Sequence, residues 1–167
     1  MNILEYIKKL NIKVGKFFSW ALLFMVIITC IVVILRYVFN IGFIWMQELV
    51  RYLYASVFMV CAAYTLAEDE HVRVDIIYSK LKKKHKALIN LLGSLFFLLP
   101  VCITIIFYSY TYVINSWAQF EGSLEERGLH AVYLLKTLIW VFSIMLFFQG
   151  LYIIITSYKK MGRKKRI

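Results

Sequence analysis

Four stretches of this chain contain no Asp, Glu, Lys, Arg or His: Phe17–Leu35, Tyr52–Ala67, Ala87–Tyr112 and Thr137–Tyr158. No other feature restricts the fold as much. A helix rises about 1.5 Å per residue, so about 20 apolar residues cross a hydrocarbon layer roughly 30 Å thick. Three of the runs reach that length or nearly so. The second is short by itself and becomes long enough once the turns around Glu48 and Arg51 are added, with Arg51 snorkelling toward the interface. The expectation is an all-α integral membrane protein with four transmembrane helices, at about 17–39, 45–67, 87–112 and 133–158, forming one membrane domain over residues 1–167. The first run follows a basic start, as a signal peptide would. It is too long for a typical signal core, however, and Arg36-Tyr37-Val38-Phe39 ends it without small residues for cleavage, so it reads as an uncleaved helix. Pro100 sits near the middle of the longest run, where it cannot donate to the Phe96 carbonyl, and a kink is expected there.

Charge sets the orientation. Basic tails at 1–16 and 159–167 and the connection 68–86 lie on one side if all four helices cross, and the connection 113–132 lies on the other. Sixteen of the 20 Lys and Arg residues fall on the first side. Short basic loops stay in the cytoplasm, so both termini are expected there. Within 68–86, the apolar residues between Val74 and Leu81 suit a short helix lying on the membrane surface. The net charge of +11 would suggest nucleic acid in a soluble protein. Here the chain is 62% hydrophobic and its basic residues flank apolar spans, so anionic lipids are the expected partner and nucleic acid is not.

The chemistry-bearing residues are few. Cys30, Cys61 and Cys102 lie singly in apolar runs, with no metal spacing and no disulfide framework, and read as small packing residues. His71, His85 and His130 all fall in connections, whereas haem held between helices needs facing histidines inside them. Glu68-x-x-His71 is half of a carboxylate di-iron signature and lacks its second copy. No metal, cofactor or enzyme activity is expected. A transporter acting alone needs an ionisable group deep in the membrane, and the charge-free runs offer none. The spans do carry packing residues. Ser143, Gly150 and Ser157 recur every seven residues in the last run, with Gln149 beside them, and Cys102, Ser109 and Ser116 share that period in the third. Small residues let helices approach closely and polar ones bond across the contact.

That leaves Trp45-Met46-Gln47-Glu48-Leu49-Val50-Arg51 at the mouth of the second span. Residues three apart share a helix face, so Glu48 and Arg51 can meet. With Arg36 nearby they are expected to form an outer-interface polar cluster that either fixes helices one and two against each other or against a partner, or only anchors the helix ends at the interface.

Taken together, Arg36-Tyr37-Val38-Phe39-Asn40, Trp45-x-x-Glu48-x-x-Arg51, Cys61-Ala62-Ala63 and His71-Val72-Arg73-Val74-Asp75 resemble the small membrane subunit, DctQ type, of tripartite ATP-independent periplasmic (TRAP) transporters. Glu121-Gly122-Ser123, Gly128-Leu129 and Gln149 resemble its weaker second-half pattern. Ser56, Cys61 and His130 depart from it, standing where the family often has tryptophan, glycine and proline. The resemblance implies a multi-pass protein of the bacterial inner membrane. It would bind a large TRAP permease subunit that carries the substrate and ion sites, and a periplasmic substrate-binding protein would deliver an organic acid. His71, Arg73 and Asp75 would then either meet a partner at the inner surface or cap the second helix in solvent. Glu121, Ser123, Glu125 and Glu126 would either face the binding protein or form a solvated loop. The alternative is a self-sufficient, proton-coupled exporter working as a homo-oligomer with Glu48 as its proton site.

Overall fold

A computed structural model describes residues 3–70, 78 and 81–162. Helix α1 (Ile3–Tyr37) and α2 (Ile44–Glu68) form a first hairpin. A second is built from α3 (Lys83–Gly93), a π-helical stretch (Ser94–Leu98) and α4 (Leu99–Ala118), which run on as one rod, followed by α5 (Val132–Gly162). Among the described residues, four helices, with the rod counted as one, are long and apolar enough to cross a membrane. The expected all-α, four-span architecture is therefore present. α1 begins at Ile3, so Lys8, Lys9, Lys13 and Lys16 belong to its first turns and not to a separate tail. The third rod likewise runs on to Ala118, several residues into the segment expected to be a polar connection.

Local chemistry explains where the helices stop. Glu68 ends α2 because Asp69 adopts a left-handed conformation, φ 66°. Its N–H donates to the Leu66 carbonyl and that of Glu70 donates to Thr65, which together close the last turn. α4 ends in the same way: Phe120 is left-handed at φ 44°, and the N–H groups of Phe120 and Glu121 donate to Trp117 and Ser116. A left-handed bulky residue is strained. Phe120 is held there by edge-on packing of its ring on Tyr133, 5.8 Å away. At Pro100, the carbonyl orphaned by the missing N–H belongs to Phe96, which lies inside the π-helical stretch. A local widening of the helix therefore lies just before Pro100, where the sequence predicts a kink.

Each of the other described elements packs against α5. That explains its stripe of small and polar residues: Ser143, Gln149, Gly150 and Ser157 are all buried. A Cβ added at Gly150 would stand 2.9 Å from Leu98 Cδ2, so the missing side chain lets the third rod approach. Ala63, Cys102 and Leu146 form the apolar centre, one residue from each of α2, α4 and α5. α1 leans on α2 through Gly15, where a Cβ would come within 2.3 Å of Tyr64 Cβ. Its other faces stay open: Leu22, Leu23, Val26, Ile27, Ile31 and Ile34 are exposed, as suits a surface solvated by lipid tails. At the level of the α2 C-terminus, Asn11 reaches across to α5 and its Nδ2 donates to Gln149 Oε1 at 3.1 Å, with both residues buried.

Candidate functional site at the loop end of the bundle

The 38–43 and 119–131 connections share one end of the bundle, called the loop end below. Glu48 lies there, just inside the start of α2, and is only 6% exposed. A carboxylate so enclosed needs donors around it. It has three. The Ser123 hydroxyl donates to Oε1 at 2.6 Å, the Leu129 backbone N–H donates to Oε2 at 2.6 Å, and Arg51 Nη2 donates to Oε1 at 3.2 Å. The two short bonds come from the 119–131 loop, 75 and 81 residues away in sequence. The Arg51 side chain is 69% exposed, so its ion pair is largely screened and contributes the least.

The loop is shaped to deliver these donors. Ser123 N–H donates to Leu129 O at 3.2 Å, Gly128 N–H to Glu125 O at 3.0 Å and Val132 N–H to Glu121 O at 3.1 Å. The Ser123 oxygen also accepts from Glu125 N–H at 3.2 Å, so one hydroxyl ties the loop to itself and to α2. Gly128 stands where the three parts meet: an added Cβ would lie 2.2 Å from Ser123 Oγ and 2.6 Å from Glu48 Oε2. No side chain fits at that point.

A second clamp closes the loop's base. Glu121 pairs with Lys136, whose ammonium also sits 3.9 Å from the centre of the Tyr112 ring. The Lys136 bond holds the Glu121 carboxyl below its ordinary pKa. Beside it, Trp117 Nε1 donates to Thr137 Oγ1 at 2.7 Å, and the Trp117 ring packs on Tyr133 at 4.8 Å. The connection between α4 and α5 is thus fixed at its base by Glu121 and in its middle by Glu48.

The residues singled out from sequence separate in space. Glu48 and Arg51 meet as their spacing implies, whereas Arg36 lines a shallow groove with Tyr37, Asn40 and Gln47 at the α1–α2 turn. Among the described residues, no bond joins Arg36 to Glu48 or Arg51. Glu121 and Ser123 turn inward and hold the loop, while Glu125 and Glu126 remain exposed. His71, Arg73 and Asp75 lie outside the described residues, as does most of the surface helix expected at 74–81. Asn11, Lys136 and the Leu129 amide were not legible as partners. Asn11 sits in a segment that reads as a tail, and a backbone N–H leaves no mark in a sequence.

The Glu48 carboxylate ties the 119–131 loop to the start of α2, across the ends of the two hairpins. No curated protein and no solved structure matches the chain. A family profile described as "Tripartite ATP-independent periplasmic transporters, DctQ component" matches residues 25–160, from within α1 to near the end of α5. The chain therefore belongs to the DctQ family, as a TRAP transporter small permease component set as a multi-pass protein in the inner membrane.

Proposed function

We propose that this chain scaffolds the large permease subunit of a TRAP importer of organic acids, with its termini in the cytoplasm and its loop end facing the periplasm. The loop end then offers part of the surface that receives the substrate-binding protein. Anionic lipids would meet the lysines of α3 and of the chain ends. The observation that carries this reading is the state of Glu48. Its two oxygens hold a hydroxyl, a backbone amide and a guanidinium. A carboxylate engaged in this way at the end of a span suits a joint better than a proton carrier, which must release its donors and communicate with both sides of the membrane.

The test is co-purification. A tagged copy of this chain is expected to bring down a large hydrophobic permease encoded near it, and neither protein alone is expected to move organic acids into liposomes. Glu48-dependent solute movement by this chain alone would refute the scaffold role and restore the exporter.

A further inference from the structure

At the end of the bundle opposite the loop end, α2, α3 and α5 border a cavity of about 520 Å³, a size typical of ligand sites. Its lining changes character along the third rod. Asn90 and Ser94 come first, and Leu98, one turn further from the lysines of α3, joins Leu66 and Ile153 in an apolar floor. Two features show that packing within the chain does not account for this space. Ser94 is only 6% exposed, yet its hydroxyl makes no hydrogen bond among the described residues. Gly93 beside it is a glycine inside a rod, where alanine is the better helix former. Gly15 and Gly150 have close neighbours that exclude a side chain, whereas a Cβ at Gly93 would meet nothing within 4 Å. Asn90 adds a donor: its Oδ1 accepts from the Tyr78 hydroxyl at 3.2 Å, which leaves its NH2 group for another acceptor.

The mouth of the cavity is basic. Lys82, Lys83, Lys84 and Lys86 surround the start of α3, and Lys86 Nζ stands 5.0 Å from the centre of the Tyr78 ring, which lines the cavity. The first turn of α3 holds no acidic residue and Lys82 supplies no capping bond, so the free N–H groups there add to the positive field. On the same helix Leu88 and Leu92 are exposed, as suits a helix set in lipid. We propose that the cavity seats one chain of an anionic phospholipid, with its phosphate on the lysines of α3 and its ester groups on Asn90 and Ser94. The spacing fits that order, because Asn90 lies one helical turn beyond Lys86 and Ser94 one turn beyond Asn90. Asp69, at the end of α2, also borders the cavity and keeps the phosphate to the α3 side. A basic surface alone attracts anionic headgroups diffusely, whereas a fitted chain holds one lipid in one place. The proposal deepens the lipid contact at α3 given above and rests on it, but it stands apart from the scaffold role.

The test uses the full chain with its large subunit bound, purified in detergent and read by native mass spectrometry. The probes are palmitoyl-oleoyl phosphatidylglycerol and the phosphatidylcholine with the same chains. One phosphatidylglycerol should stay bound, and phosphatidylcholine should be held about tenfold more weakly. Gly93→Leu, which fills the cavity, should weaken retention about tenfold or more without lowering the melting temperature of the lipid-free complex, while Gly93→Ala stays within about threefold. Replacing Lys83, Lys84 and Lys86 by Gln should bring phosphatidylglycerol down to the level of phosphatidylcholine. Unchanged retention of phosphatidylglycerol in Gly93→Leu would overturn the proposal and leave lipids on the basic surface only. Equal, loose binding of both lipids by the unaltered complex would sink the lipid contact itself, so the two failures are separately visible.

Discussion

Two of the polar contacts between distant parts of this bundle differ in kind. At the loop end, Glu48 is a charged group with three donors and one partner, Arg51, reaching into solvent. Near the C-terminal end of α2, Asn11 and Gln149 form a single neutral bond, closed off from the surroundings. The difference follows enclosure. An ion can be held where water reaches one side of its network, as it does at Arg51, but in a contact closed on every side each ion costs several kcal/mol to desolvate. A neutral amide pair needs one bond to be tolerable there. The charged contact fastens a loop to helices. The neutral one sets how α1 lies against α5.

The largest effect is expected where removal leaves a buried donor unmet. Glu48→Ala deprives the Leu129 N–H and the Ser123 hydroxyl together, and should cost about 2–3 kcal/mol of local stability at the loop end. Hydrogen exchange should show it as much faster exchange at Leu129, while amides of α5 around Gln149 keep their protection. Loss of protection at both places would mean that the two contacts form one unit.

Next comes crowding. Gly128→Ala puts a methyl group inside contact distance of both Ser123 and Glu48, and Gly15→Ala does the same to Tyr64. Each should destabilise by about 1–3 kcal/mol. The first should free only the loop and the second should loosen α1 from α2, as read by crosslinking between cysteines placed on those helices. A Gly128→Ala loop with native protection would show that the close contact relaxes at no cost.

Asn11→Ala should cost less, about 0.6 kcal/mol and at most about 1.7 kcal/mol, the average and the maximum for polar contacts between membrane helices. Thermal unfolding in detergent would measure it. Leucine at both Asn11 and Gln149 should recover much of the loss, because the bond then leaves no orphan. A double variant no better than the single ones would mean that the amides fix helix register as well as satisfying each other.

The smallest effect is the pH response of the second clamp. The folded Glu121 carboxyl lies below its ordinary pKa because of Lys136. Its contribution is therefore complete above the unfolded pKa, about 4.3, and is lost as pH falls through the folded value. The carboxylate is partly open to solvent, which keeps the effect small. Acidification should loosen the base of the loop slightly in the native protein and not in Lys136→Met, with exchange at Glu121 and Val132 as the readout.

Much of the architecture was legible because lipid imposes simple rules. Charge-free runs gave the spans, and the seven-residue period of Ser143, Gly150 and Ser157 marked the face of α5 that the structure buries. The spacing of Glu48 and Arg51 likewise gave a real contact. It was the weakest of the three that Glu48 makes. The stronger two come from a loop far away in sequence, one of them from a backbone amide, and no local pattern encodes such a meeting. The same holds for Asn11, which joins a residue 138 positions away and lies in a segment whose lysines read as a tail. Gly128 entered the sequence reading through the Gly128-Leu129 pair of the family pattern. Its role as the point where α2 and the loop touch depends on atoms from three places in the chain.

The central claim is that the Glu48 carboxylate acts as a structural acceptor and carries no proton across the membrane. Solute uptake by the reconstituted transporter, compared between Glu48→Gln and Glu48→Ala, tests it most directly. Glutamine keeps one oxygen for the Leu129 amide and offers an NH2 group that the Ser123 oxygen can accept, but it cannot take up or release a proton in this range. Most of the uptake should survive in Glu48→Gln and fall sharply in Glu48→Ala. Uptake as low in Glu48→Gln as in Glu48→Ala, with the loop still protected from exchange, would contradict the claim.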